Sequence, residues 1–206
     1  IMNDDGTMSR RPDLEVFAKK HDLKIGTIAD LIQYRSINEK TVENINQRQI
    51  KTSYGDFNLH TYLDTARQEQ HFALTKGDVN DGEPCLVRVH VHSTARDVFK
   101  IQREADQQFA PWTFDNAIEQ IAKEGRGVLV MICHSESSQD IDESIDWMLT
   151  GKQQRPSQDL VYKQVGTGSQ ILCDLGVKKL RLMSAPFKFS AISGFDLEVV
   201  EYINNQ

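Results

Sequence analysis

His90 and His92 close the stretch Cys85-Leu86-Val87-Arg88-Val89-His90-Val91-His92, in which polar and apolar residues alternate after residue 86. Such alternation marks a strand, and side chains two apart on a strand share a face, so the two imidazoles have a geometry that suits a metal ion. No third ligand stands at a convincing spacing, and surface or hydrogen-bonded core histidines are the plainer reading. Gly166-Thr167-Gly168, ahead of a helical stretch, offers backbone N–H groups to a phosphate. A lone G-x-G is weak, and a simple turn accounts for it. Asp140, Asp142, Glu143 and Asp146 have near-helical spacing and read as the solvated face of a helix. Cys133-His134-Ser135 sets a thiol, an imidazole and a hydroxyl side by side, but a nucleophile needs a base and a group to orient it, which this run does not supply.

These residues sit in a chain of 206 that is 39% hydrophobic and 26% charged, with 24 Lys+Arg against 30 Asp+Glu and a net charge of −6. That balance suits a globular chain with a real core and disfavours binding driven by nucleic-acid phosphates. No apolar run approaches the ~18–20 residues of a membrane helix. Ile1-Met2-Asn3-Asp4-Asp5-Gly6 lacks a basic-then-apolar leader, so a cytoplasmic chain is expected; an Ile before the Met suggests a piece of a longer parent. Cys85, Cys133 and Cys173 are too far apart for a zinc knuckle and odd in number for a disulfide framework, and read as buried reduced thiols.

The elements that must position these residues are legible in part. Pro12 and Asp13 open a helix through Leu14, Val16, Phe17 and Ala18, and Thr27 is a candidate cap for a short helix over Ile28–Ile32. Residues 36–50 are polar and read as a linker. Phe57, Leu59 and Tyr62 with Phe72-Ala73-Leu74 predict an antiparallel hairpin around Asp64–Gln70. Thr113 caps a helix over Phe114–Lys123, which Gly125 stops, and a buried strand Val128–Ile132 follows. A helix over Gln170–Leu175, a strand Lys179–Met183 and a strand Leu197–Ile203 complete a mixed α+β or α/β fold.

Two resemblances add to this reading. Ile1–Leu14, running on to Gly26-Thr27-Ile28-Ala29-Asp30-Leu31-Ile32-Gln33-Tyr34-Arg35, resembles the last portion of 3,4-dihydroxy-2-butanone 4-phosphate synthase. From about Thr52 to Tyr202 the chain resembles GTP cyclohydrolase II, the domain fused behind that synthase in bifunctional riboflavin enzymes. The residues that carry it are Gly55-Asp56-Phe57-x-Leu59-His60-x-Tyr62, Glu69-x-His71-x-Ala73-Leu74-x-Lys76-Gly77-Asp78, Val87-Arg88-Val89-His90, Asp97-Val98-Phe99, Glu124-Gly125-Arg126-Gly127 and Gln170-Ile171-Leu172-x-Asp174-Leu175-Gly176-Val177. The resemblance implies a synthase tail over 1–35, a linker over 36–50 and a cyclohydrolase-like domain over 51–206. That domain is expected to be a mixed sheet with flanking helices.

The departures from the family pattern bear on chemistry. Cyclohydrolases of this kind hold zinc with cysteines spaced C-x10-C-x-C, and those places fall on Ser93, Glu104 and Asp106. A hydroxyl and two carboxylates do not replace soft thiolates, and without zinc no water is activated to attack the purine. The glycines and arginine of the Q-E-G-R-G-I-G-L signature are replaced by His134-Ser135-Glu136-Ser137-Ser138-Gln139-Asp140-Ile141. The D-x-R-D-Y segment, with its acidic residue and its arginine, falls on Val161-Tyr162-Lys163-Gln164-Val165. Lysine keeps the charge but not the two-pronged fork. Arg88 matches the family's GTP-contacting arginine, and Ser184 and Lys188 match phosphate-side positions, a set compatible with weak GTP binding.

The expectation drawn from the resemblance is a degenerate, non-catalytic GTP cyclohydrolase II-like domain that supports or tunes a fused synthase. It would have no resident cofactor of its own, where active relatives use zinc and the synthase uses magnesium. The expected partners are a second copy in a homodimer, the fused synthase and other riboflavin-pathway enzymes, with neither membrane nor nucleic acid. Two alternatives stand beside it. One is an active cyclohydrolase with a relocated metal held by His90, His92, Glu104 or Asp106; the other is a nucleotide- or flavin-sensing module.

Overall fold

The computed structural model describes residues 1–2, 5–26, 31, 34–35, 38–102, 111–151, 158–185 and 195–205, with the backbone alone for 158–164. Helix α1 (Arg11–Lys20) comes first, with Pro12 in its first turn and the Arg10 N–H donating to Asp13 Oδ2 at 2.9 Å. Only Ala18 of this helix is buried; Val16 and Phe17 face outward. The short helix expected from Thr27 lies largely outside the described residues.

Seven strands then form one mixed sheet: β1 (Val42–Thr52), β2 (Gly55–Asp64), β3 (Glu69–Lys76), β4 (Cys85–Val91), β5 (Gly127–Ile132), β6 (Lys179–Leu182) and β7 (Glu198–Tyr202), in the order β1-β2-β3-β5-β4-β6-β7. β1, β2, β3 and β5 pair antiparallel, whereas β5, β4, β6 and β7 run parallel. The expected β2–β3 hairpin is present, with Tyr62 opposite His71 and Leu59 opposite Leu74.

β1 corrects the linker reading. Residues 42–50, polar in sequence, are sheet. β1 lies at the sheet edge with most of its residues exposed on both faces, so no apolar alternation is imposed on it, and a bulge between Asn44 and Asn46 interrupts its register.

Alternation along the central strands divides the core into two layers. Val87, Val128 and Val130 point to the side covered by α4 (Gln158–Asp174), where Ile171 and Leu172 meet them. Leu86 and Leu129 point to the side covered by α2 (Phe114–Glu124), against Ala117, Ile118 and Ile121. Thr113 caps α2 by accepting from the Asn116 N–H at 3.1 Å, and Gly125 ends it in the left-handed region at φ 76°. Gly127 opens β5 beneath this helix; a Cβ there would stand 2.9 Å from both Ile121 Cγ1 and the Leu86 carbonyl oxygen. Helix α3 (Ser138–Thr150) carries Asp140, Asp142, Glu143 and Asp146 on exposed positions, as their spacing predicted.

α4 is longer than its sequence suggested and absorbs Gly166-Thr167-Gly168 in mid-helix. The N–H groups of that triplet belong to the helix, so both the turn and the phosphate-loop readings are corrected. Gly168 is there because α4 presses on the sheet: a Cβ at 168 would lie 3.1 Å from Val89 Cγ1. No helix among the described residues is long and apolar enough to cross a membrane.

Candidate functional site

β4, β5 and β6 are parallel neighbours, so their carboxyl ends share one edge of the sheet, where ligands of open α/β sheets gather. His90 and His92, the loop after Ile132, and Ser184 all stand at that edge. A single π-type turn, Thr94–Val98, follows β4 and brings Asp97 back towards the strand.

Asp97 is the hub of the cluster. His90 Nε2 lies 2.9 Å from Asp97 Oδ2, and the Ser93 N–H donates to the same oxygen at 2.9 Å. His92 Nδ1 is 3.7 Å from it, and Arg96 Nε is 3.2 Å from Oδ1. Both histidines therefore face one side, as the alternation predicted, but they converge on a carboxylate. A carboxylate only accepts, so the proton of His90 sits on Nε2, and its Nδ1 is buried without a partner. Burial pushes His90 below its ordinary value against the pull of Asp97, and the ring is neutral. Burial would raise Asp97, yet the hydrogen bonds from His90 and the Ser93 N–H and the charge of Arg96 outweigh it and hold the carboxyl well below the usual range.

A second carboxylate closes the cluster. Glu136 Oε2 accepts from the Thr94 N–H at 2.9 Å and lies 2.5 Å from Thr94 Oγ1, with His92 Nε2 at 3.6 Å. Ser93 Oγ is 3.5 Å from Ser144 Oγ of α3. Sequence reasoning gave no role to Asp97 or Glu136. No local spacing signalled them: Asp97 is engaged by a turn that folds back on β4, and Glu136 by Thr94, which lies far from it in sequence.

Arg88, two residues before His90 on the same face, turns inward. Its Nη1 donates to the Met183 carbonyl at 2.8 Å and its Nη2 to the Trp112 carbonyl at 3.0 Å, while Nε has no partner. Among the described residues no carboxylate lies within ion-pair distance, and burial, helped by the charge of Arg96, pushes the guanidinium down to about 10. Met183 precedes Ser184, so Arg88 and the Ser184 loop are brought together. Ser184 Oγ donates to the Ala185 carbonyl at 3.0 Å. Lys188, Glu104 and Asp106 lie outside the described residues, as do the side chains of Val161 and Lys163, whose backbone is in the first half of α4.

Burial disfavours the thiolate at all three cysteines. Cys85 is buried and pushed up to about 11 by that burial. Cys133 is half-buried and raised by the same cause, and its N–H donates to His71 Nδ1 at 3.2 Å, so no activated nucleophile stands beside His134 and Ser135. Cys173 is exposed rather than buried, which corrects the expectation for it, though partial desolvation of the side chain still raises its thiol.

The donor set does not fit a thiolate zinc centre. Ser93 offers an oxygen next to another hydroxyl, His90 Nε2 is committed to Asp97, and among the described residues no three His, Cys, Asp or Glu side chains are grouped to hold a metal.

Comparison with known proteins places this geometry. The profile of GTP cyclohydrolase II matches residues 43–204, and that of 3,4-dihydroxy-2-butanone 4-phosphate synthase matches residues 1–34. A 3,4-dihydroxy-2-butanone 4-phosphate synthase of Pseudomonas aeruginosa is 46% identical over 203 residues, 98% of this chain and 54% of the relative. The riboflavin biosynthesis protein RibBA of Aquifex aeolicus is 42% identical over 216 residues, covering 98% and 52%. The crystal structure of RibBX, a two-domain 3,4-dihydroxy-2-butanone 4-phosphate synthase from A. baumannii, superposes with a TM-score of 0.74 at 42% identity, over 100% of this chain and 53% of that one. The chain thus spans about half the length of these relatives. With the sheet and the profile over residues 43–204 in agreement, the chain belongs to the GTP cyclohydrolase II family and carries ahead of that domain a segment matching the synthase.

Proposed function

We propose that this domain has left cyclohydrolase chemistry and serves the 3,4-dihydroxy-2-butanone 4-phosphate synthase to which it is joined, in riboflavin biosynthesis. The observation that carries the reading is the commitment of the carboxyl-edge polar groups to one another. Asp97 takes up His90 and the Ser93 N–H, Glu136 takes up Thr94, and Arg88 takes up two backbone carbonyls. A reacting site keeps donors and charges directed at the place where a substrate's charge develops; here they close turns. The hydroxyl of Ser93 where the family has a thiolate supports the same conclusion.

The Pseudomonas aeruginosa relative and the two-domain RibBX, of each of which this chain covers about half, bear names that carry only the synthase activity. That supports assigning the activity of the whole protein to the synthase part, with this domain in a supporting role.

The experiment is formate release from GTP by purified protein with Zn²⁺ and Mg²⁺, beside a three-cysteine cyclohydrolase. The expected result is no formate above blank. Turnover comparable to the control sinks the reading and directs attention to His90 and His92.

A further inference from the structure

Residues 39–42 carry the chain from the helical residues Tyr34, Arg35 and Asn38 into β1, and their polar groups converge on the last two turns of α4. The Gln170 carboxamide serves both sides of this segment: Nε2 donates to the Glu39 carbonyl at 3.0 Å, while Oε1 accepts from the Thr41 N–H at 3.0 Å and the Val42 N–H at 3.2 Å. One turn further along α4, Asp174 Oδ1 meets Lys40 Nζ at 2.9 Å and Oδ2 accepts from the Tyr62 hydroxyl at 3.1 Å. From the β2–β3 side, the N–H and hydroxyl of Thr65 both donate to the Thr41 carbonyl, at 2.8 and 3.0 Å. The Val42 side chain is 1% exposed and lies in the core layer under α4. Upstream, the Glu39 N–H donates to the Arg35 carbonyl at 2.8 Å, so a helical hydrogen bond runs up to this point.

A flexible tether leaves its backbone to water. Here the N–H groups of 39, 41 and 42 and the carbonyls of 39 and 41 are all taken by protein, most of them by one side chain. We infer that Gln170 and Asp174 are positioning residues that hold 39–42 in a single conformation, so that a domain preceding residue 35 leaves the sheet in a fixed direction. Glutamine suits this position because the job needs a donor and an acceptor on one side chain; alanine has neither and asparagine is one methylene short. The Lys40–Asp174 pair adds less, because Lys40 is largely exposed and its attraction is screened. The inference rests on the supporting role proposed above and names the joint through which that role acts.

Two readouts separate the clamp from the role. Amide hydrogen exchange on the chain with Q170A, Q170N and D174N reports the clamp itself. At Thr41 and Val42, Q170A should exchange about tenfold faster, the factor that one lost hydrogen bond supplies, with Q170N close behind and β5 amides unchanged as the sign of an intact sheet. Unchanged exchange at Thr41 and Val42 overturns the clamp. In the full-length chain with its synthase, Q170A should shift the synthase rate in the same direction as removal of residues 43–206. Faster exchange with an unmoved rate, where removal does move it, overturns the positioning role and leaves the supporting role standing. If removal leaves the rate unchanged, the supporting role falls and takes the positioning role with it.

Discussion

Asp97 shows how one carboxylate organises a turn. It gathers a ring N–H and a backbone N–H on a single oxygen, so its replacement leaves two donors facing an amide. D97N should cost about 2–3 kcal/mol in urea unfolding; a variant as stable as the wild type would show that the hub is incidental. R88A leaves the carbonyls of Met183 and Trp112 without their donors and opens a space beneath them. We expect a loss of about 1–3 kcal/mol, read from the same transition. The histidines set the acid limit. Burial holds His60, His71 and His90 below their ordinary value of 6.5. The unfolded chain therefore binds their protons first, so their contribution is complete above pH 6.5 and is lost as pH falls from there towards the folded values. Asp97 is depressed as well, but its contribution is lost only below the ordinary 3.8. Urea midpoints at pH 7.5, 6 and 5 should fall in that order, and a flat profile would contradict the neutral buried rings.

Among the elements, β5 lies close beneath α2 at Gly127. G127A would drive a methyl into Ile121 and the Leu86 carbonyl, and a backbone oxygen cannot rotate away. The expected loss is about 1–3 kcal/mol in thermal or urea melts. Elements with an apolar pattern or a cap were readable in advance: α2 between Thr113 and Gly125, the β2–β3 hairpin and the buried strand β5. Those defined by neighbours were not. β1 has no buried face to print an alternation, so its polar residues passed for a linker. α4 was cut short because Gly166 and Gly168 signal a turn, whereas Gly168 in fact answers to Val89.

At the scale of the whole molecule, the sheet and its two cores follow from residues that alternate, and the family could be read from motifs scattered along the same strands. The candidate site was legible as a place rather than as a device. His90, His92, Arg88 and Ser93 lie on or just after β4, but the carboxylates that engage the histidines, the turn and Thr94 are ordinary residues whose meaning comes from a loop folding back. Their partners are set by tertiary geometry that no local spacing encodes.

The order in which the strands are made has its own consequence. β4 stands between β5 and β6, both of which leave the ribosome after it, and β6 only after α3 and α4 have been synthesised. The antiparallel strands β1, β2 and β3 can zip as a meander while β4, the strand carrying Arg88 and His90, waits with both edges open. Parallel pairing across such separations is slow, and an apolar strand with free edges invites association with other chains. Slower translation downstream of β4 prolongs that wait and should lower the soluble yield of recombinant protein, whereas a lower growth temperature, which weakens apolar association, should raise it. Substitutions that weaken β5 or β6 should deplete the yield before they measurably lower the stability of the molecules that do fold.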